Sequence, residues 1–120
     1  MQLAALQACI VCVDIVEKDN EETVKDVKNI VRFKNMVKGY TCDLTDSVQV
    51  KQLAEKIIND FGSVDILISN AGIVYSHNIT GGKDEMIEKV MRVNLLSNFW
   101  VSLKNFKSIL FPIIINTTLN

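Results

Sequence analysis

Cysteine, proline and glycine are scarce in this chain, which has three Cys, one Pro and five Gly among its 120 residues. So little proline and glycine excludes collagen-like and low-complexity sequences. Three cysteines do not describe a disulfide framework, and Cys9 and Cys12 lie inside an apolar run. Their C-x-x-C spacing therefore indicates thiols that pack as small hydrophobic side chains, and we expect no metal site.

An excess of one charge and long hydrophobic runs are missing as well. Thirteen Lys and Arg against fourteen Asp and Glu leave a net charge of −1. The chain thus offers no broad basic surface, and we expect no nucleic-acid partner. The apolar runs at 1–13 and 109–115 are too short to span a bilayer, and the first lacks the basic residues of a signal peptide. We expect no membrane segment in this chain and, by default, a cytoplasmic location.

The sequence is nevertheless that of a folded α/β protein. It is 48% hydrophobic and 22% charged, which is typical of globular domains. Short β-rich apolar runs alternate with stretches of helical period, and this alternation predicts a parallel sheet with right-handed crossovers. The predicted strands are 8–14, 37–42, 64–70 and 112–116. The predicted helices open at 19–22, run from a cap at Thr45 or Asp46 to Gly62, and span 84–110.

Two of these elements carry further expectations. The strand at 64–70 is almost wholly apolar, which indicates that helices cover both of its faces. Helix 84–110 has apolar side chains over more than half of its circumference. We therefore expect this helix to be buried on two sides, against its own sheet and against a partner chain.

Polar or small residues follow three predicted strands, at the edge where open α/β sheets bind ligands. Asp14 could accept both ribose hydroxyls of an adenosine and repel a 2′-phosphate, or it could simply cap a loop. Asp43 could accept from an adenine amino group, or it could be an ordinary acid preceding a helix. After the third strand, Asn70-Ala71-Gly72 would let a ligand approach the backbone, and Gly tolerates positive φ. We expect Asp14, Asp43 and Asn70 to lie along one rim.

Several segments together give a family resemblance. Four of them, in this order and at these spacings, resemble a short-chain dehydrogenase/reductase: VCVDI (11–15), CDLTD (42–46), FGSVDILISNAG (61–72) and MRVN (91–94). Two more, EETVKD (21–26) and SNFW (97–100), are similar to its retinol and 17β-hydroxysteroid dehydrogenase-like branch. The resemblance covers roughly residues 3–102 and implies a partial Rossmann-type, doubly wound parallel sheet. The chain would then be a single incomplete NAD(P)-binding domain over 1–120.

The resemblance also implies roles for residues in the first half of the chain. Asp14, with Ile15, would hold the adenosine ribose and favour NAD over NADP. Asp43 and Leu44 would contact the adenine. The substrate would be a small lipophilic alcohol or ketone, such as a retinoid or a steroid.

Further roles are implied in the second half. Asn70, Ala71 and Gly72 would line the cofactor and steady the sheet, although Ser69 stands where the family often has a first Asn. Asn94 matches the helix Asn of the catalytic tetrad, which in the family helps to hold a water linked to the catalytic lysine.

Two parts of the family pattern are missing. The catalytic Tyr and Lys form Y-x-x-x-K, but Tyr40 and Tyr75 are followed at the fourth position by Leu44 and Ile79. The chain has no G-x-G, so the first βα unit and its pyrophosphate-binding loop are lacking, and cofactor binding should be poor.

The missing first strand has a structural consequence. Because the strand order of this fold is 3-2-1-4-5-6, that strand belongs in the middle of the sheet. Either 8–14 closes directly onto 64–70, or the domain is incomplete and has unpaired strand edges.

Three functions stay open at this point. The first is an NAD(P)-dependent oxidoreductase. The second is a catalytically inactive fragment, and the third is a non-catalytic interaction module that dimerises with itself or with an intact homologue through helix 84–110. If a full-length form carries an N-terminal anchor, the resemblance implies the endoplasmic reticulum or the lipid-droplet surface.

Overall fold

Four parallel strands form an open sheet with helices on both faces, in a computed structural model that describes residues 1–76, 81–105 and 113–116. In chain order the elements are α1 (Gln2–Ala5), β1 (Ile10–Asp14), α2 (Glu17–Ile30), a 3₁₀ turn (Lys34–Met36), β2 (Val37–Thr41), α3 (Ser47–Phe61), β3 (Ile66–Ile68), α4 (Asp84–Met91), a π turn (Arg92–Leu96), α5 (Ser97–Asn105) and β4 (Ile113–Asn116).

β1 lies inside the sheet, and all five of its residues are buried. Its side chains alternate between two hydrophobic cores. Val11 and Val13 pack in one core with residues of α3 and α5, whereas Ile10 and Cys12 pack in the other with residues of α1 and α2. Because successive side chains of a strand point to opposite faces, α1 and α2 cover one face of the sheet and α3 and α5 the other. We call these the α2 face and the α3 face.

Helix α3 begins and ends where the sequence predicts, and its predicted apolar side is the side that is buried. The side chain of Asp46 accepts hydrogen bonds from the backbone N–H groups of Val48 at 2.8 Å and Gln49 at 3.2 Å, as an N-cap does. Gly62 ends the helix with φ of +87°, a value that favours glycine. Val50 and Ile57 of its apolar side are buried in the core of the α3 face.

The helix α2 begins at Glu17, earlier than predicted, directly after the loop that leaves β1. Its buried residue Asn20 donates from Nδ2 to the carbonyl oxygen of Tyr40 at 2.8 Å, which fastens α2 to β2. The two elements also approach closely at Gly39, where a Cβ atom would lie 2.8 Å from Cγ2 of Val24. The close fit of α2 on β2 therefore depends on the missing side chain at position 39.

The order of the strands in the sheet is β2-β1-β4-β3, which differs from both arrangements expected from the sequence. β1 does not close onto β3, and its second edge is not left unpaired. Instead β4 lies between them, with Ile10 opposite Ile113 on one side and Ile66 opposite Ile113 on the other. The expected pairing of β1 was wrong, because the chain's own fourth strand occupies the middle of the sheet and pairs with both neighbours. The expectation of an incomplete sheet is a separate matter, to which the comparisons with known proteins below apply.

The sequence predicts right-handed crossovers throughout, but the crossovers of the structure do not all have the same hand. The crossover from β2 to β3 moves across the sheet in one direction on the α3 face, and that from β3 to β4 moves back on the same face. Two parallel crossovers on one face that run in opposite directions have opposite hands. The crossover from β1 to β2, which runs back on the α2 face, shares the hand of the β2 to β3 crossover. Since nearly all such crossovers are right-handed, the connection from β3 to β4 is the left-handed one.

β3 and the helix after it also depart from expectation. β3 spans only Ile66–Ile68, and the side chain of Ile66 is 48% exposed, because the strand lies at the edge of the sheet rather than between two helix layers. The helix predicted over 84–110 is interrupted by the π turn, and its residues 106–110 lie outside the described residues. Within the described residues, no helix combines the length and the apolar character that crossing a bilayer requires.

Candidate functional site

A cavity of about 220 Å³ lies at the edge of the sheet where the strands end. Because all strands are parallel, the loops after β1, β2 and β3 emerge at this edge, where open α/β sheets bind ligands. The cavity is lined by residues of these three loops and of the helix that follows β3: Ile15, Val16, Cys42, Asp43, Leu44, Thr45, Ala71, Gly72, Ile73, Lys89 and Val93.

The cavity brings together five of the seven residues that the sequence suggested for a cofactor. Ile15 comes from the loop after β1, Asp43 and Leu44 from the loop after β2, and Ala71 and Gly72 from the loop after β3. Asp14 is the last residue of β1, and Asn70 follows β3, but neither is among the described residues that line the cavity.

Asp14 is buried at the end of β1, with 2% of its surface exposed. Its Oδ1 accepts a hydrogen bond from the backbone N–H of Val16 at 2.9 Å. This contact is the loop cap that had been weighed against a ribose contact, and it holds the start of α2 beside the cavity. The assignment of Asp14 to the ribose stays a prediction.

Asp43 also makes local hydrogen bonds, but it lines the cavity. Its Oδ1 accepts from the backbone N–H of Thr45 at 2.9 Å and from the Thr45 hydroxyl at 2.8 Å. The carboxylate therefore shapes the turn between β2 and α3. Asp43 is half-buried and lines the cavity, and its contact with adenine stays a prediction.

Asn94 fixes the loop after β3 to the π turn. Its Oδ1 accepts from the backbone N–H of Ile73 at 2.8 Å, and its Nδ2 donates to the Ile73 carbonyl oxygen at 2.9 Å. One side chain thus satisfies both backbone groups of a loop residue that lines the cavity. Asn94 itself is exposed and does not line the cavity, so the structure gives it a positioning contact.

The π turn is held by side chains that sequence analysis did not single out. The hydroxyl of Ser97 donates to the Val93 carbonyl oxygen at 2.5 Å, and Nδ2 of Asn98 donates to the Asn94 carbonyl oxygen at 2.7 Å. The Ser69 hydroxyl, on the loop after β3, is hydrogen-bonded to Oδ1 of Asn98. A π turn changes which backbone groups pair, and polar side chains at i+4 can bond the carbonyls there. The close spacing of Asn94, Ser97 and Asn98 was the available signal.

Lys89 is a cavity residue that the sequence motifs did not suggest. It lies on α4, four residues before Val93, and both residues line the cavity. Residues four apart lie on the same side of a helix, so this spacing could have identified the lysine once Asn94 was in view. Lys89 is exposed, so the lining of the cavity contains a lysine side chain as well as the carboxylate of Asp43.

Gly72 has a different reason to be small from the one expected. Among the described glycines, Gly62 is the residue with positive φ, so backbone conformation does not demand glycine at 72. A Cβ atom there would lie 3.6 Å from Oδ1 of Asn94, an ordinary contact. Gly72 lines the cavity, so its lack of a side chain leaves that space open.

Two titratable side chains of β2 and the loop after it have raised pKa values. Burial raises the pKa of the Cys42 thiol to about 11, and the charges of Asp43 and Asp46 add to this effect. Burial likewise raises the pKa of Tyr40 to about 12, and its hydrogen bond to Asp60 contributes. Both groups therefore keep their protons at neutral pH. No group of three His, Cys, Asp or Glu within the described ranges could hold a metal ion.

The size and walls of the cavity set what it can hold. Sites for drug-sized ligands measure roughly 300–1,000 Å³, so about 220 Å³ suits one half of a dinucleotide rather than the whole. Apolar walls at Ile15, Val16 and Leu44 suit a planar ring, whereas Asp43 and Lys89 provide one acceptor and one cation.

We predict that Asn94→Ala releases the loop after β3. The substitution removes both hydrogen bonds to Ile73, so amide hydrogen exchange at Ile73 should accelerate. The free energy of unfolding should fall by about 1 kcal/mol. Asn94→Asp keeps the acceptor for the Ile73 N–H and should retain more of that protection. Asn29→Ala, an exposed Asn on α2, is the control. An Ile73 amide that exchanges at the same rate in Asn94→Ala would contradict the positioning role.

Sequence comparisons identify the proteins to which this chain is similar. The family model described as short chain dehydrogenase matches residues 1–113. Short-chain dehydrogenase/reductase family 16C member 6 of Bos taurus is 36% identical over 100 residues, which cover 83% of this chain and 31% of that protein. Epidermal retinol dehydrogenase 2 of Homo sapiens is 35% identical over 100 residues, covering 83% of this chain and 32% of the relative. The chain thus spans about a third of the length of these curated relatives.

Solved structures share the fold. An NAD⁺-bound xylitol dehydrogenase superposes with a TM-score of 0.84 at 22% identity, covering 96% of this chain and 45% of the other. An alcohol dehydrogenase from Thermococcus sibiricus, in complex with 5-hydroxy-NADP, superposes with a TM-score of 0.80 at 20% identity. The match covers 88% of this chain and 44% of the other. These matches confirm a partial Rossmann-type parallel sheet. Together with the family model and the retinol dehydrogenase relatives, they show that the chain belongs to the short-chain dehydrogenase family of oxidoreductases.

Proposed function

We propose that this chain binds the adenosine half of a nicotinamide dinucleotide in the cavity, as the cofactor-binding part of an NAD(P)-dependent oxidoreductase. The observation that supports the proposal is the convergence of Ile15, Asp43, Leu44, Ala71 and Gly72 on one cavity at the carboxyl edge of the sheet. The lipophilic alcohol or ketone proposed as substrate rests on the names of relatives, which include retinol dehydrogenases.

The residues of the cavity fit this group. Asp43 would accept from the adenine amino group, and Ile15 and Leu44 would contact the faces of the ring. Ala71 and Gly72 would let the sugar approach the backbone, while Lys89 would lie toward the phosphates. The nicotinamide half of the bound cofactor supplies the hydride acceptor or donor.

One prediction of the proposed function concerns the size of the ligand that the cavity recognises. Because the cavity suits one half of the cofactor, the chain should bind AMP about as tightly as NAD, within roughly threefold, and nicotinamide mononucleotide much more weakly. Affinities should be near millimolar, equivalent to about 4 kcal/mol. Gly72→Leu would fill the cavity and should weaken AMP binding at least about tenfold, measured by NMR titration.

Gly82→Leu is the matched control, because Gly82 receives the same added side chain outside the cavity wall. Circular dichroism would verify that both variants remain folded. Equal AMP affinity in Gly72→Leu and the unsubstituted chain, or no saturable binding of AMP or NAD, would overturn the proposal. We also expect no NADH absorbance when the chain is incubated with NAD and retinol, since neither Tyr40 nor Tyr75 lies in Y-x-x-x-K.

A second prediction tests the proposed preference for NAD. Asp14→Asn retains an Oδ1 acceptor for the Val16 N–H but removes the negative charge that would repel a 2′-phosphate. The affinity for NADP relative to NAD should therefore rise about tenfold, since one unit-charge interaction of this kind is ~1.4 kcal/mol. Asp19→Asn, an exposed acid in the first turn of α2, is the control. An unchanged ratio would leave Asp14 with its capping role alone.

The second candidate function, dimerisation, is favoured by an exposed apolar stripe on the helix after β3. Four side chains spaced every four residues are about half exposed: Ile87 at 51%, Met91 at 50%, Leu95 at 43% and Phe99 at 55%. The helix had been expected to be buried on two sides, and this side is open within the described residues. A second chain of this family would cover such a stripe.

Light scattering after size-exclusion chromatography tests this candidate. The chain should form dimers as concentration increases, and Met91→Lys should shift it to monomer because it places a charge in the centre of the stripe. Leu6→Lys is the control, since Leu6 is 78% exposed and lies outside the stripe. A monomer at all concentrations, or dimers that survive Met91→Lys, would exclude the stripe as the interface.

A further inference from the structure

The outer edge of β2 forms the end of the sheet farthest from β3. β1 pairs with one side of β2, and no strand pairs with the other side within the part of the chain that the structure describes. The backbone N–H of Cys42, next after β2, donates to the carbonyl oxygen of Asp14 at 3.0 Å, so it faces β1. Because successive residues of a strand direct their backbone groups to opposite sides, those of Gly39 and Thr41 face outward. This edge therefore presents backbone donors and acceptors to an additional strand.

Two grooves run along this edge. One, of about 690 Å³, is lined by residues of α2 and β2, and the other, of about 450 Å³, is lined by residues of α3 and β2. Gly39 and Thr41, whose backbone groups face outward, line both grooves. Since the side chains of an extended strand alternate between two sides, the two grooves offer space for both sets of side chains of an added strand.

Specific contacts hold the walls of both grooves to β2. On the α2 face, Nδ2 of the buried Asn20 donates to the Tyr40 carbonyl oxygen at 2.8 Å. On the α3 face, the Tyr40 hydroxyl donates to Oδ2 of Asp60, and Nζ of Lys38 donates to the same oxygen at 2.5 Å. A lysine at a sheet edge usually opposes pairing, but this contact directs the ammonium of Lys38 to α3. The walls are thus in place before a strand arrives, which lowers the ordering cost of binding.

The charges along this edge select the kind of strand. Lysines outnumber glutamates in the lining of the two grooves, although the whole chain carries a net charge of −1. Lys25, Lys28 and Lys34 line the larger groove, and the ammonium of Lys34 donates to the carbonyl oxygen of Lys28. A second copy of this chain would bring the same lysines to the contact, and like charges oppose that pairing. An acidic strand is the complementary occupant.

We propose that the outer edge of β2 is a docking site for an extended acidic segment of another protein, which adds a fifth strand to the sheet. The backbone of this segment pairs with Gly39 and Thr41. Its acidic side chains lie in the larger groove beside the three lysines, and its apolar side chains lie in the smaller groove against Tyr40 and Leu53. This mode of binding takes affinity from the backbone and specificity from alternate side chains. The docking site does not depend on the proposed cofactor.

Short peptides of alternating Glu and Val, about seven residues long and blocked at both ends, are the probes. The same peptide with Lys in place of Glu is the charge control. Two further forms carry N-methyl groups, one on every Glu and the other on every Val. Because alternate residues of a strand direct their N–H groups to opposite sides, only one of these forms lacks the donors that face β2. Binding to the unsubstituted chain is followed by NMR titration and amide hydrogen exchange.

We expect the Glu–Val peptide to bind saturably and to protect the amides of Gly39 and Thr41 from exchange. The Cys42 amide, already bonded to Asp14, should not change. The Lys–Val peptide should bind at least about tenfold more weakly. One N-methylated form should lose at least about tenfold in affinity, and the other should stay within about threefold of the probe.

Two pairs of variants test the protein side of the contact. Thr41→Pro removes an outward N–H, which a sheet edge tolerates, and should weaken binding about fivefold, whereas Thr41→Val keeps the N–H and the affinity. Lys25→Glu reverses an exposed charge in the larger groove and should also weaken binding about fivefold. Lys18→Glu, an exposed lysine of the same helix outside the groove lining, should leave it unchanged. The N-methylated peptides test the same pairing without relying on a variant that folds.

Three results would overturn the proposal. The first is the absence of saturable binding, or equal binding of the Glu–Val and Lys–Val peptides. The second is equal affinity of both N-methylated forms and the probe, because attraction would then occur without strand pairing. The third is concentration-dependent protection of Gly39 and Thr41 in the chain alone, because a second copy would then be the occupant. Failure to bind AMP would contradict the proposed function and leave these results unaffected.

Discussion

Hydrogen bonding on both edges of β1 is the constraint on which the rest of this structure depends. All five residues of β1 are buried, so water does not replace a missing ladder partner, and each unpaired backbone group would cost about 1–3 kcal/mol. β2 supplies one edge and β4 the other. The need for a second partner explains why β4 accepts a left-handed crossover rather than extending the sheet beyond β3.

The same parallel pairing creates the candidate site. Parallel strands end at one edge, and the loops after β1, β2 and β3 meet there around the cavity. Three side chains then set the shape of these loops. Asp14 holds the start of α2, Asp43 accepts two hydrogen bonds from Thr45, and Asn94 binds both backbone groups of Ile73. The site is thus formed by backbone geometry that a few carboxylate and amide side chains maintain.

Local features were predicted well from the sequence where one segment decided the outcome. The cap at Asp46, the end of α3 at Gly62 and the strands β1 and β2 follow from side chains adjacent in the chain. The position of β4 could not be predicted, because it depends on which strands are present to compete for the middle of the sheet. The exposure of Ile66 and the small size of β3 follow from that order, so a nearly apolar sequence alone was misleading.

The site predictions divide in the same way. Motif spacing identified which loops approach the cavity, and hence Ile15, Leu44 and Gly72. It could not decide between a loop cap and a ribose contact for Asp14, since a carboxylate at a strand end has two suitable partners. The structure shows the cap on the Val16 N–H, and the ribose contact stays a prediction. Nor did helical periodicity predict the π turn. The carbonyl groups of Val93 and Asn94 in that turn accept hydrogen bonds from Ser97 and Asn98, and the Asn94 side chain also contacts a loop residue 21 positions earlier in the chain.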